Sequence, residues 1–472
     1  MVAPEQDSSM MATEPDTMMM SPGQTVMLEE TRMQNSSFLT ADDTKIWRIE
    51  RAFLTHGNNQ IDISDNFNTV DDEFVFSYDG GLIWRKGFDI KTDASNSSEA
   101  LLDKYVSSIE TQYSFQDGSG SIVEADFGSC VFEIMGPNAV SATITNDDLS
   151  VLSFELQEKE AGDYKTTPTG PLGFSTAFQF ISDDIVCCAP GMIGSYSENQ
   201  LYIATKYPRN NTEIVMGFDP MSGDQTKSYI FDQRDFVSKQ LHIIDNQLIV
   251  AGGQYINTYN TDLVSDPESH THDKQLTRFG ISVLDNDMYL IGGDVHEIES
   301  NKIFKWSLET NTLSEFATLP EPKSGARGTI VNEHLYVFGG SQEFFGTDAS
   351  NKIYKVSLED PNEIEEFEMN RAMDFTFVQK YENLIFVAGH IIIGNDGGNN
   401  PNPFTYDSSI GVFNTIDNSY EEIETNLRNP EDSYSIHQMS ILNDKIYIIY
   451  GENIRTRTNG ALWDVMVADL KN

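Results

Sequence analysis

Apolar residues recur at a regular interval from about residue 180 onward. Each copy starts with a polar turn of Asp, Asn or Glu, continues as an apolar run and usually ends in two glycines. The copies are SENQLYIATK (197–206), DNQLIVAGG (245–253), DNDMYLIGG (285–293), NEHLYVFGG (332–340), YENLIFVAGH (381–390) and LNDKIYIIYG (442–451). Equivalent apolar positions in successive copies are 40–62 residues apart. This period predicts a propeller in which each copy contributes to one four-stranded blade.

A second pattern follows the first five copies and consists of a strand, a polar turn and another strand. Its clearest versions are NKIFKWSLETNTLSEF (301–316) and NKIYKVSLEDPNEIEEF (351–367), and its weaker versions are IVMGFDPMSGDQTKSYIF (214–231) and IGVFNTIDNSYEEI (410–423). The order of strand, double glycine, loop and hairpin resembles kelch propellers over roughly residues 170–472. The glycines fit a backbone that turns sharply out of an inner strand, where a Cβ would obstruct packing.

The two ends of the repeat region predict how the propeller closes. After the sixth copy only one strand remains, ALWDVMVADLKN (461–472), so its blade is one strand short. The segment TAFQFISDD (176–184) precedes the first blade and is surplus. Pairing these two strands would remove two exposed sheet edges. The sequence therefore predicts a six-bladed kelch-type propeller over residues 161–472.

Residues 43–160 predict a separate, smaller all-β domain. About eight short alternating runs occur there, from IWRIERAFL (46–54) to VLSFELQEK (151–159), with tight turns between them. Such a pattern indicates a small antiparallel barrel or sandwich. Trp47, the turn Phe76–Gly80 and the glycine-rich later strands resemble the lipocalin-like domains of Bacteroidota lipoproteins.

Residues 1–42 predict a disordered acidic tether rich in Met, Ser and Pro, because this segment of low complexity cannot form a core. The segment resembles the linker behind the lipidated cysteine of Bacteroidota surface lipoproteins. This resemblance implies a lipid anchor and signal peptide upstream of this numbering, and a secreted or outer-membrane cell-surface location. No apolar run reaches the roughly 18 residues of a membrane-spanning helix.

The charge balance narrows the range of partners. The 74 Asp and Glu residues outnumber the 30 Lys and Arg residues, so the formal net charge is −44. Such a surface repels phosphate backbones, which argues against nucleic-acid binding. The three cysteines, Cys130, Cys187 and Cys188, provide neither a disulfide framework nor the spacing of a zinc site, and we interpret them as mostly buried.

One short motif suggests an enzyme. FSYDGGLIW (76–84) has the spacing of the Asp-box of sialidases. It occurs once and outside the repeats, whereas sialidases carry one copy in each of several blades. Asp79 and Gly80 with flanking aromatic residues indicate a tight β-hairpin instead.

Arginine is scarce in this acidic chain, so its positions are informative. Five arginines fall between the last strand of one predicted blade and the first strand of the next, and a sixth lies in a long loop. Connections of this kind gather on one propeller face, where aromatic residues are also expected to be exposed. The predicted ligand-binding residues are Arg234, Arg278, Arg327, Arg371, Arg428, Arg455, Tyr255, Phe345 and Trp463. Grouped guanidinium groups would attract carboxylates or sulfates, but they could equally tie the blades together through backbone carbonyls or acidic side chains.

These observations favour non-catalytic recognition at the cell surface, of a glycan or a protein partner, through the loop-bearing face of the propeller. No cofactor, metal site or catalytic residue is predicted. Two alternatives remain open. Bacterial kelch propellers that resemble this chain include sialic acid mutarotases, which use a carboxylate and an arginine at the channel mouth, and Arg327 or Arg371 could serve there. The chain could also be a structural accessory subunit of an outer-membrane complex.

Overall fold

A computed structural model describes most of the chain after residue 43. The described residues are 39, 44–64, 73–77, 81–85, 109–115, 122–125, 129–136, 139–145, 150–160, 164–182, 190–195, 198–207, 212–231, 239–244, 247–272, 274, 276–284, 287–295, 298–342, 348–395, 404–427, 434–452 and 461–470. They form two units: a barrel unit that ends at Lys159 and a propeller unit that begins at Glu160. All their secondary-structure elements are strands, and no helix in the described ranges is long and apolar enough to cross a bilayer.

The barrel unit is one antiparallel sheet of nine strands. They are β1 (Thr44–His56), β2 (Asn59–Asp62), β3 (Glu73–Ser77), β4 (Gly81–Arg85), β5 (Ile109–Phe115), β6 (Ile122–Ala125), β7 (Ser129–Gly136), β8 (Ala139–Thr145) and β9 (Val151–Glu158). Sequential strands from β3 onward pair with one another, and β1 pairs with both β3 and β9, so the sheet curls round on itself. The eight predicted strands are all present. The short β2, which forms a hairpin with β1, has too few residues to show a period and was not predicted.

Aromatic side chains fill the inside of the curled sheet. Phe74 stacks on Trp84 with ring centroids 5.1 Å apart, and Phe132 and Phe154 meet Phe74 edge-on. All four are buried, because alternate residues of each strand point inward. The described ends of the Asp-box motif lie in strands β3 and β4, which pair antiparallel with Phe76 opposite Leu82, as the hairpin interpretation predicted, whereas Asp79 and Gly80 lie outside the described residues.

The propeller unit has six four-stranded antiparallel sheets. Blade 1 contains β11 (Gly191–Ser195), β12 (Gln200–Tyr207), β13 (Thr212–Phe218) and β14 (Gln225–Phe231). Blade 2 contains β15 (Gln240–Ile244), β16 (Gln247–Gly252), β17 (Tyr255–Asn260) and β18 (Glu268–Thr271). Blade 3 contains β20 (Gly280–Leu284), β21 (Asp287–Ile291), β24 (Lys302–Ser307) and β25 (Thr312–Thr318).

The remaining blades follow the same order. Blade 4 contains β26 (Arg327–Val331), β27 (His334–Phe338), β28 (Ser350–Ser357) and β29 (Ile364–Met373). Blade 5 contains β30 (Thr376–Tyr381), β31 (Leu384–Asn395), β32 (Phe404–Asn414) and β33 (Ser419–Ile423). Blade 6 contains β34 (Tyr434–Leu442), β35 (Lys445–Glu452), β36 (Ala461–Asp469) and β10 (Ser175–Ser182). A small extra sheet is formed by β19 (Leu276–Thr277), β22 (Asp294–Val295) and β23 (Ile298–Glu299).

Blade 6 closes the ring in the predicted way. β10 comes from before blade 1 and pairs antiparallel with β36 from the end of the chain. The segment before β10 is held as well, because Asn426 donates to the carbonyl oxygen of Phe174 and accepts from its backbone amide. The first and last strands of the propeller are therefore joined in one sheet.

The propeller core consists of six apolar clusters of described residues, one between each pair of neighbouring blades. The first strands of successive blades also contact one another in a closed circle, which makes them the innermost strands. The strand that carries the double glycine is therefore second from the centre. Because antiparallel strands alternate in direction, the connections from second to third strand and from blade to blade lie on one face, here called the loop face. The other turns lie on the opposite face.

Candidate functional site

The double glycines shape the loop face. Gly292 and Gly293 have φ of +58° and +81°, and Gly339 and Gly340 have φ of +58° and +82°. A Cβ on Gly293 would lie 2.6 Å from the carbonyl oxygen of Thr277. Glycine is required there because the chain turns in the left-handed region and passes close to the blade-to-blade connection. The two kinds of loop-face connection therefore pack together, as the repeat pattern indicated.

A short hairpin rises from the loop face of blade 3. It consists of β22 and β23, and β19, from the connection between blades 2 and 3, extends it to three strands. Ile298 on this hairpin is 71% exposed. This sheet of two-residue strands was not predicted, because elements so short have no hydrophobic period.

Arg278 fixes the base of this hairpin. Its Nε lies 2.7 Å from Oδ2 of Asp294 and its Nη2 lies 3.0 Å from Oδ1, a bidentate ion pair between two buried residues. Ser324 donates to the same carboxylate over 3.2 Å. The guanidinium also lies 5.8 Å from the ring of the half-buried Phe375. Arg278 lies on the predicted face, and it is engaged in structural contacts there.

Arg371 ties two blades together on their outer strands. Its Nε donates to Glu422 over 2.9 Å and its Nη1 donates to Asp407 over 3.1 Å. Partial burial lowers the pKa of this guanidinium, but the hydrogen bonds and charges of the two carboxylates outweigh that effect and raise it. Both acidic residues belong to blade 5, whereas Arg371 belongs to blade 4. This arrangement matches the alternative in which arginines join blades through acidic side chains.

Of the three described candidate arginines, 278, 327 and 371, Arg327 is the one that lies within an innermost strand. It begins the innermost strand β26 at the loop-face end and is 5% exposed. Burial, together with the charge of Arg278, lowers the pKa of its guanidinium to about 9, so it remains charged at neutral pH. Its Nη1 donates to the carbonyl oxygens of Ala326 (2.9 Å) and Arg278 (3.3 Å).

Asp374 is a neighbour that the sequence analysis did not single out. It lies two residues before the innermost strand of blade 5 and is 3% exposed. Burial raises the pKa of its carboxyl to about 6, against the opposing hydrogen bond from Ser341 and the charge of Arg278. A buried carboxyl near the propeller axis would have been a useful signal, but in a chain with 74 acidic residues nothing in the sequence distinguishes it.

Two of the three predicted aromatic residues are described, and they belong to different blades. Tyr255 begins β17 at the loop face and is half-buried. The expectation that Trp463 is exposed was wrong, since it is 1% exposed in the cluster between blades 6 and 1. Its ring packs edge-on against His437 at 4.7 Å and covers Gly451, because its side of β36 faces blade 1. Four predicted residues lie outside the described ranges: Arg234, Phe345, Arg428 and Arg455.

The structure describes part of the predicted cysteines and of the predicted tether. Cys130 is buried and unpaired, as expected, whereas Cys187 and Cys188 lie outside the described residues. Within the described ranges, no group of three or more His, Cys, Asp or Glu residues is placed to hold a metal ion. Leu39, inside the predicted tether, is buried and accepts a hydrogen bond from the Trp47 indole over 3.1 Å.

Comparison with known proteins adds one finding. A search of curated proteins gave no match. Residues 275–320 match the model of the Kelch motif. That segment spans β19 to the end of β25, which is one complete blade together with its loop-face hairpin and the double glycine. Four of the five other four-stranded sheets repeat the strand order of this blade, and blade 6 does so with β10 as its outermost strand. The chain therefore contains a Kelch motif within a six-bladed β-propeller.

Proposed function

We propose that the propeller is a non-catalytic recognition module that binds a protein partner at the cell surface through its loop face. The observation that carries the proposal is the hairpin of blade 3, which presents a 71% exposed isoleucine, Ile298, on a fixed base. The kelch-type propeller fold is consistent with a protein-binding role. The proposed cell-surface location rests on the resemblance of residues 1–42 to a lipoprotein linker.

The hairpin is suited to binding because its base is already ordered. The bidentate contact between Arg278 and Asp294 and the added strand β19 hold it before any partner arrives. A segment that is fixed in advance loses less conformational entropy on association than a free loop does. An exposed apolar side chain on such a segment can serve as an anchor for a partner.

Charge indicates the type of partner. A net charge of −44 favours proteins with neutral or basic surfaces, since like-charged surfaces repel each other during encounter. A structural role in an outer-membrane complex is one form of this binding, and it would use the same face.

Affinity capture from solubilised native membranes tests the proposal. The full chain would be immobilised as wild type, as Ile298→Asp, and as the matched control Val264→Asp. Val264 is 80% exposed and lies in the connection between β17 and β18, on the opposite face. We expect a partner that the wild type and Val264→Asp retain equally and that Ile298→Asp retains at least tenfold less. A partner lost only with Val264→Asp would contradict the proposal.

A glycan partner is a separate outcome, and a glycan array probed with the full chain would detect it. The mutarotase alternative has one observation in its favour, namely the acidic Asp374 near Arg278 at the loop-face end of the axis. NMR exchange spectroscopy of reducing sugars tests it. Anomer exchange accelerated by the wild type and lost in Asp374→Asn would replace the non-catalytic proposal with an enzymatic one.

A further inference from the structure

The outermost strand of blade 6 differs in charge from the outermost strands of the other five blades. β10 reads STAFQFIS and contains no Asp, Glu, Lys, Arg or Pro. Each of the other outermost strands carries at least one charged residue: Lys227 in β14, Glu268 in β18, Glu315 in β25, Glu365, Glu366, Glu368 and Arg371 in β29, and Glu421 and Glu422 in β33. Charged side chains on an edge strand oppose its pairing with a further strand, and β10 lacks this protection.

β10 also presents one edge of its sheet to pairing. Among the strands that the structure describes, it pairs only with β36 and stands at the end of the order β10–β36–β35–β34. A bulge at Ala177 interrupts the pairing in the first part of β10, whereas the register is regular from Phe178 onward. Alternate backbone N–H and C=O groups of an edge strand point away from its sheet. The regular part of β10 can therefore pair with a further strand.

An exposed apolar pair lies beside this edge. Ile181 of β10 stands directly opposite Leu462 of β36, and their exposed fractions are 56% and 53%. The adjacent residues Phe180 and Trp463 point to the other face of the sheet, where they pack in the cluster between blades 6 and 1. That cluster therefore does not account for the apolar character of Ile181 and Leu462. An uncharged edge with exposed apolar side chains is suited to association with another strand.

The lack of charge indicates which strand pairs there. The chain has a net charge of −44, so a basic strand from another protein would be attracted more strongly by an acidic edge such as β33. Two copies of this chain, in contrast, repel each other wherever their acidic side chains meet, and like charges on directly opposed strands are destabilising. An uncharged strand allows two identical edges to lie side by side. The composition of β10 therefore favours a second copy of the chain as the occupant.

We propose that two copies of this chain form a dimer in which their β10 strands pair antiparallel. A twofold axis perpendicular to the sheet reverses the strand direction and joins the two copies of blade 6 into one continuous sheet. The same axis keeps both Ile181–Leu462 pairs on one face of that sheet, where the added strand shields Ile181 from water. Backbone hydrogen bonds and this apolar contact stabilise the dimer. The interface does not involve the hairpin with Ile298, so it goes beyond the partner binding proposed above.

Sedimentation equilibrium of the full chain over a range of concentrations tests the association. We expect a monomer–dimer equilibrium that shifts toward the dimer as NaCl rises from 0.15 M to 1 M. Higher salt shortens the Debye length from about 8 Å to about 3 Å and screens the repulsion between two acidic copies. A chain that stays monomeric up to about 200 μM at both salt concentrations would overturn the proposal. Growth beyond the dimer would also overturn it, because pairing uses up the β10 edge of both copies.

A matched pair of variants shows whether β10 forms the interface. Ile181→Glu places on β10 the kind of charge that the other outermost strands carry. The control is Ile416→Glu, because Ile416 is 49% exposed and lies in the turn between β32 and β33. We expect Ile181→Glu to weaken dimerisation at least tenfold and Ile416→Glu to change it less than twofold. An unchanged dimer in Ile181→Glu, or equal weakening in both variants, would contradict the assigned interface.

Hydrogen exchange of the wild type tests the same interface without a substitution. Between dilute and concentrated samples, exchange should slow in residues 178–181 and stay unchanged in residues 225–231 of the outermost strand of blade 1. Unchanged exchange in residues 178–181 of a dimeric sample would overturn the proposal. If the chain stays monomeric and these residues are protected only by the partner captured from membranes, the edge belongs to a strand of another protein and the dimer proposal fails. Ile298→Asp should dimerise as the wild type does, so the two proposals can fail separately.

Discussion

Asp374 is a buried titratable residue of the propeller whose protonation affects stability. Its carboxyl is buried, and the pKa is raised from 3.8 to about 6. The folded state therefore binds a proton more tightly than the unfolded state, and the stability contributed by this group falls as pH rises from about 4 to 6. Above pH 6 the folded protein must keep an ionised carboxylate out of water.

The variant Asp374→Asn should therefore be more stable than the wild type at neutral pH, because the amide carries no charge. A shift of this size corresponds to roughly 3 kcal/mol at most. Calorimetric melting at pH 7.5 should show a higher Tm for the variant, and the difference should shrink as pH falls to 4.5. A difference that grows toward low pH would show that Asp374 is not protonated in the folded state.

For single residues, the sequence predicts where in the fold a side chain lies better than it predicts which contacts that side chain makes. The arginines at 278 and 327 lie on the face that the repeat pattern indicated. Their contacts could not be predicted, since Asp294 is one of 74 acidic residues and reaches Arg278 only through the turn at the double glycine. Trp463 was misjudged for a similar reason: a loop-flanking aromatic residue can point toward solvent or toward the next blade, and strand register decides which.

At the scale of elements, the double-glycine turn carries the most specific requirement. Gly340 has φ of +82°, and a Cβ there would lie 2.8 Å from the carbonyl oxygen of Ser324. We expect Gly340→Ala to reduce the free energy of unfolding by about 2 kcal/mol or more, since left-handed strain and a backbone clash add together. Chemical denaturation would measure this loss.

The control for this substitution is Gly173→Ala. A Cβ at Gly173 has no neighbouring heavy atom within 4 Å, and its φ is not in the left-handed region. We expect that variant to change the free energy of unfolding by less than about 0.5 kcal/mol. Equal losses in the two variants would show that the turn is not held as described.

Strands whose apolar alternation is visible in the sequence were recovered, whereas the innermost strand of each blade was not predicted individually. The eight alternating runs before residue 160 and the six repeats after it all correspond to strands. The two-residue strands β19, β22 and β23 were not recovered, although they build the hairpin on which the proposed function rests. Their formation depends on tertiary contacts with a neighbouring blade connection, which local sequence does not encode.

At the scale of the whole molecule, closure of the propeller depends on β36 pairing with β10. Neighbouring residues of β36 provide a matched test, because Trp463 is 1% exposed and Leu462 is 53% exposed. We expect Trp463→Ala to cost about 3–5 kcal/mol of unfolding free energy, since it empties the cluster between blades 6 and 1. Leu462→Ala should cost under about 0.5 kcal/mol.

If chemical denaturation showed that Trp463→Ala and Leu462→Ala reduce the free energy of unfolding by similar amounts, the described packing of β36 against blade 1 would be wrong. Closure itself was predictable from counting strands, because the sixth blade was one strand short and the segment 176–184 belonged to no other blade. The six clusters between blades then follow from ordinary alternation along each strand.

Hydrogen exchange of the full chain, with and without the partner captured from membranes, tests the central claim about the loop face most directly. The account predicts that the partner slows exchange in residues 292–300 and in the neighbouring connections 319–326 and 373–376. Exchange in the opposite-face turns 219–224, 261–267 and 308–311 should stay unchanged. Protection confined to those opposite-face turns would contradict the account.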